Sequence, residues 1–394
     1  MVKRCAAALL AVLLLLTVAV CPAAAEADKP ANGAENDGEQ GVEEAARAEW
    51  RSFVAGLPDE VKDLLPDGFD SADDAVADAA VKEAVTLPGL LNMIAAFFGA
   101  NIGKCLSLLA RICGVLLLVS LFRTLAGESV SKGLEHVLSL CSILSIAALF
   151  LTAGATDMTA LSDYFKTLRA VCLSFLPLMG TLYAMGGNVG AAVANHAVMS
   201  AFLTLLETVC GGTVLPVTGL LLAFAAMDAV ADGVSLRSLA ALVKQTYTRA
   251  FAFLMLLLCG VLGLQHTLAK GSDTLALRTA RFVAGSFLPV VGGSVSEALA
   301  TVSGSVQYLR GTVGVGAIAV MICLFLPMFL SVCLTRLTLS LSAAAAGLLR
   351  CAREEKFLSE AAGACGCIQA VIASLFVMVV FSLTLLARCA TGVA

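Results

Sequence analysis

Apolar runs long enough to cross a lipid bilayer recur along this chain, and they leave few folds open to it. Eight stretches read as spans: Leu106–Phe122, Leu134–Ala155, Leu168–Met185, Val189–Cys210, Leu215–Val230, Phe251–Leu268, Val313–Leu334 and Ile368–Ala387. A crossing helix needs about 20 mostly apolar residues. Leu90–Ile102 is shorter and reads as an interfacial stretch, while Thr335–Leu349, rich in Ala and Ser, reads as a further buried helix. Of the 394 residues 59 % are hydrophobic and only 14 % charged, and the mean hydropathy is +0.94. Several membrane helices give such values and a soluble domain rarely does. The expected fold is all-α, a polytopic membrane helical bundle of about seven or eight spans.

The net charge of −4 hides an asymmetry. Glu26–Val85 holds 17 acidic and 5 basic residues, whereas Thr86–Ala394 holds 12 acidic and 18 basic ones. No basic stripe interleaved with aromatics occurs, which argues against nucleic acid as a partner. Lys3 and Arg4, the apolar Cys5–Val20 and the small residues Ala23–Ala25 read as a cleaved signal peptide over residues 1–25; an uncleaved anchor is the alternative. Residues 26–85 then form an acidic extracytoplasmic leader. Its first part is too polar to bury a core. Short helical patterns around Trp50, Phe53, Val54, Leu57 and Val61 predict a small translocated helical module that docks on something larger. Residues 86–394 are the polytopic membrane domain.

With the signal cleaved, the first span runs inward. Arg123, Lys132, Arg237, Lys244, Arg249, Arg336, Arg350, Arg353 and Lys356 then face the cytoplasm, as the excess of cations on that side requires. Lys270, Arg278, Arg281 and Arg310 fall on the outer side and weaken that bias. Glycine and alanine are dense within the spans, which lets helix backbones approach closely. The 14 cysteines have no metal-ligand or redox spacing and read as small core residues. No cofactor or metal is expected.

Charged residues within spans are expensive, about 2.5–3.5 kcal/mol each at mid-helix. Arg111 lies in the first span. His196 and Glu207 share a face of the fourth, three turns apart, and Asp228 and Asp232 close the fifth at i, i+4. These read either as a proton or ion relay or as polar glue between helices, and glue is favoured. Phosphate-loop, zinc-protease, nucleophile-elbow and dinucleotide motifs are absent, so no enzyme is expected.

One further block stands out. In Gly271–Gly293, GSDTLALRTARFVAGSFLPVVGG, the residues Thr274, Arg278, Arg281 and Gly285 form a polar stripe, Asp273 is a plausible N-cap, and Pro289 with Gly292-Gly293 stops the helix. Its arginines suit lipid phosphates or a docking partner. This block, with Leu309–Pro327 (LRGTVGVGAIAVMICLFLP), resembles the stage III sporulation protein AE family of spore-forming bacteria. That resemblance implies a membrane core component of a secretion-like channel complex between mother cell and forespore, needed for forespore development and late forespore gene expression. It implies residence in the mother-cell membrane around the forespore. The implied partners are the other stage III membrane proteins of the same operon, a separate ATPase subunit and a forespore membrane protein, with possible homo-oligomers. It carries no catalytic residue. The alternative reading is a stand-alone secondary transporter or permease using Arg111, His196 and Glu207.

Overall fold

In the computed structural model the chain is described over residues 48, 50–62, 65, 86–126, 132–185, 189–230, 236–258, 260, 261, 264 and 292–389. These residues are helical apart from short turns. We label the helices α1 (Asp59–Lys62), α2 (Leu87–Ala126), α3 (Lys132–Met185), α4 (Val189–Val230), α5 (237–258), α6 (Gly292–Leu348) and α7 (Ala352–Cys389). Five stretches are long and apolar enough to cross a membrane: Pro88–Leu125, Gly133–Thr152, Leu203–Val230, Gly316–Leu348 and Ala352–Val380. The signal peptide and most of the Gly271–Gly293 block lie outside the described residues, and Gly292-Gly293 opens α6.

Several polar breaks that the sequence assigns to span boundaries turn out to be helix interior. The expected spans Leu134–Ala155 and Leu168–Met185 are both parts of α3. Between them the pattern changes from wholly apolar to amphipathic, with no helix breaker. Leu161, Tyr164, Phe165 and Leu168 are buried at helical spacing, while Asp163 and Lys166 pair on the outside at 3.0 Å. Likewise α4 joins Val189–Cys210 to Leu215–Val230, and α6 joins Val313–Leu334 to Thr335–Leu349. In that last stretch the hydroxyls fold back onto their own helix, Thr338 Oγ1 donating to Leu334 O and Ser342 Oγ to Thr338 O, both at 2.9 Å. Polar side chains thus sit inside a buried helix without leaving donors unmet. Similarly, the interfacial stretch Leu90–Ile102 and the first span belong to one helix, α2. At 1.5 Å per residue α3 and α6 run for about 80 Å, far more than the ~30 Å hydrocarbon layer.

The hairpin of α6 and α7 forms the centre. The apolar stretch of α6 is 83 % buried and that of α7 67 %, against 17 % for α2 and 28 % for α3 and α4. Around the hairpin, α2 packs on α6, α4 on α7, and α3 touches both. Phe325 of α6 stacks on Phe376 of α7 with ring centroids 4.0 Å apart. The run Ala343–Ala346 keeps side chains small where α7 crosses the end of α6.

The connection between the two helices is a Schellman turn. Cys351 N donates to Ala346 O at 2.9 Å and Arg350 N to Gly347 O at 3.2 Å, with Arg350 at φ 57°. Glycine usually holds this left-handed position, because a side chain there costs about 1–2 kcal/mol.

The outer helices present their apolar side chains outward. Leu118 and Leu125 of α2, Leu242 and Leu256 of α5 and Leu348 of α6 are between 60 and 86 % exposed. Such a surface suits lipid or protein neighbours rather than water. At the end of the bundle remote from the Schellman turn, the helical residues 50–55 and α1 lie against the long helices. Phe53, Val54, Leu57 and Val61 are buried, and the Phe53 ring meets Phe175 of α3 edge-on at 5.4 Å. The Trp50 indole covers Gly316 so closely that a Cβ there would stand 2.9 Å from Cζ2. Residues 50–61 thus pack on α3 and α6. Gly316 lies about 50 Å of helix from Arg350.

Candidate functional site

A closed set of ionic contacts gathers at the end of the bundle where α6 turns into α7. Its centre is Glu354, in the first turn of α7, where a carboxylate is favoured by the helix dipole. Glu354 is wholly buried. Its Oε1 accepts from Arg123 Nη2 at 3.1 Å and from Ser142 Oγ at 2.6 Å, joining the last turn of α2 and the start of α3 to the hairpin. The same Arg123 nitrogen donates to Ser139 Oγ at 2.8 Å. Arg353 Nη1 meets His136 Nδ1 of α3 at 2.9 Å. Ser120 Oγ of α2 donates to Leu349 O at 3.5 Å.

Beside it, Asp228 ties two further helices, α4 and α5, to α7. It is 3 % exposed at the end of α4. Its Oδ1 accepts from the backbone N–H groups of Leu236 and Arg237 at 2.8 and 3.2 Å. It therefore caps the start of α5 from the neighbouring helix, satisfying donors that the first turn leaves open. Its Oδ2 lies 2.8 Å from Lys356 Nζ, and the same ammonium donates to Asp228 O at 2.9 Å. One turn along α7, Glu360 Oε1 takes Arg237 Nε at 3.2 Å. Every helix that reaches this end is thus tied to the first three turns of α7.

The arrangement holds helices in place. Glu354, Asp228 and Glu360 are each committed to cations or backbone donors. At the turn, burial pushes the Cys351 thiol above the ordinary range, and the Glu354 charge adds to that against an offset from Arg123. Cys172, Cys210, Cys323, Cys351, Cys365 and Cys367 are buried.

Of the residues singled out from sequence, Asp228 is the one the structure places in this cluster, as a cap and ion-pair partner. Arg111 is exposed on the outer face of α2. His196 and Glu207 lie in α4, but their side chains are outside the described residues, and Asp232, Asp273, Arg278 and Arg281 lie outside them altogether. Sequence reasoning noticed Arg123, Arg237, Arg353 and Lys356 only as cations on one side of the membrane, and it missed Glu354. The available signal was an acidic pair opening an apolar helix just after a polar turn. What the sequence does not show is the partner, because Arg123 and Glu354 are 231 positions apart.

Comparison with known proteins gives the family. No solved structure matches this chain. Stage III sporulation protein AE of Bacillus subtilis (strain 168) is 26 % identical over 163 residues, a stretch that spans 41 % of this chain and 41 % of that protein. The sequence model of the family described as stage III sporulation protein AE matches residues 72–390. That range takes in α2 through α7, the charged end and the block around Arg278 and Arg281, and the chain belongs to the stage III sporulation protein AE family.

Proposed function

We propose that this chain is a membrane core component of a transenvelope complex joining mother cell and forespore, a channel or secretion-like assembly that supports forespore development and late forespore gene expression. The observation that carries the reading is the family match over residues 72–390, which implies a role in sporulation. The outward apolar faces of α2 and α5 support a body surrounded by lipid and by neighbouring subunits. The protein sits in the mother-cell membrane as a multi-pass subunit and acts as a scaffold for export rather than as an enzyme. Its partners are the other stage III membrane proteins of the operon, a separate ATPase subunit that supplies energy, and a protein of the forespore membrane. The cations at the charged end face the cytoplasm and residues 50–61 face the intermembrane space. The positive-inside rule supports that orientation, and so does the distance between the two ends.

The test is affinity purification of the tagged chain from membranes of sporulating cells. The expected result is recovery of sporulation-specific membrane proteins and an ATPase, together with loss of heat-resistant spores when the gene is deleted. Recovery of the chain alone, with sporulation unaffected by the deletion, contradicts the proposal.

A further inference from the structure

Deeper along α7 than the ion pairs lies a second polar group that they leave unbalanced. Gly363 and Gly366 are adjacent-turn neighbours on this helix, and a cation rests on the bare backbone at each. Lys244 Nζ, from α5, sits 3.1 Å from where a Cβ on Gly363 would stand. The Arg336 guanidinium, from α6, has its Cζ 3.0 Å from the corresponding point on Gly366. Residues three apart share a helix face, with Cβ positions about 5–6 Å apart, so the two cationic heads lie side by side. Arg336 Nη1 donates to Gln369 Oε1 at 2.9 Å.

Gln369 is only 4 % exposed, and its Nε2 has no hydrogen-bond partner among the described residues. The carboxylate nearest the Lys244 ammonium is Glu360, whose Oε2 stands 4.0 Å from the same Gly363 point. Glu360, the carboxylate on this face, is already held by Arg237 at 3.2 Å. Three cations therefore face one carboxylate. The donor left unmet among the described residues is the Gln369 amide N–H pair, beside two half-buried cations. Water can accept from these groups, but it leaves three cations sharing the single charge of Glu360.

We propose that Lys244, Arg336 and Gln369 form a binding site for a phosphate-type anion, either the headgroup of an acidic lipid or free phosphate. Glycine at 363 and 366 makes the site possible, since a side chain at either position fills the space that the cation occupies. The guanidinium offers paired N–H groups to two oxygens, and the ammonium adds a point charge. The proposal is independent of the sporulation reading.

The full chain in nanodiscs tests it. Discs of phosphatidylcholine alone, discs containing phosphatidylglycerol, and phosphatidylcholine discs titrated with inorganic phosphate are compared by thermal midpoint, for the wild type, Lys244→Gln and Arg336→Gln. The expected result is a rise of the wild-type midpoint with one or both anions. Lys244→Gln should weaken that response by about tenfold in anion concentration, as loss of one charge-assisted contact does. A response to phosphatidylglycerol alone assigns a lipid headgroup, and a response to phosphate assigns a soluble anion. Should Arg336→Gln not fold, Lys244→Gln decides, because its head is half-buried and its removal leaves no cavity. A wild type unmoved by either anion overturns the proposal, as does a Lys244→Gln variant that responds as the wild type does.

Discussion

At the scale of single residues, stability rests on a few buried charges rather than on the many apolar contacts. Within lipid, apolar packing gains little from excluding water, and an interhelical hydrogen bond is worth about 0.6 kcal/mol on average. Removing one partner of a buried ion pair costs about 3–5 kcal/mol. Glu354→Ala should therefore lower stability by roughly 3 kcal/mol, since it strands Arg123 and Ser142; Arg123→Ala together with Glu354→Ala should cost clearly less than the sum of the two. Thermal midpoints of the four proteins in one detergent give that coupling. Asp228 separates two effects: Asp228→Asn keeps an oxygen for the α5 cap and loses the Lys356 pair, whereas Asp228→Ala loses both, with a further deficit of about 1 kcal/mol expected for the cap. Arg350→Gly points the other way. It relieves the left-handed strain at φ 57° and should stabilise the turn by up to about 1 kcal/mol, visible as a higher midpoint. An unchanged or lower value would mean that the Arg350 side chain contributes more than its strain.

At the scale of elements, the sequence was informative about type and less so about extent. Apolarity pointed to an all-helical chain, of which five stretches among the described residues are long enough to cross a membrane, but it also placed boundaries at Ala155–Leu168 and around Gly211-Gly212, where α3 and α4 continue unbroken. A change from apolar to amphipathic pattern looks like an end when only hydrophobicity is read, whereas the backbone stops only where capping or glycine makes it stop. The Schellman turn was harder to see, because arginine stands where glycine is expected. Small residues were legible as packing positions, and Gly316 shows which of them matter. A Cβ at Gly316 runs into the Trp50 ring, so Gly316→Ala should cost about 1–3 kcal/mol through overpacking. It should also make residues 50–61 more sensitive to protease. Trp50→Ala in the same chain should remove most of the steric part of that penalty. If Gly316→Ala leaves both midpoint and cleavage unchanged, the N-terminal residues are not held on α6.

At the scale of the whole molecule, a buried hairpin carries a charged clasp at one end and the docked residues 50–61 near the other. The cations that the sequence assigns to one side of the membrane, Arg123, Arg237, Arg353 and Lys356, do gather at one end. Their position between the apolar runs was legible in the sequence, where the positive-inside rule makes them an expectation about sidedness. The pairing was not, because it joins elements more than a hundred residues apart. The central claim is that these two ends lie on opposite sides of the membrane, and single-cysteine labelling tests it most directly. On a background cleared of native cysteines, Ala55→Cys and Arg350→Cys both fall at exposed positions. With a membrane-impermeant maleimide applied to intact non-sporulating cells that express the chain, where its membrane borders the medium, position 55 should label immediately and position 350 only after permeabilisation. Labelling of both positions from the same side would contradict the account.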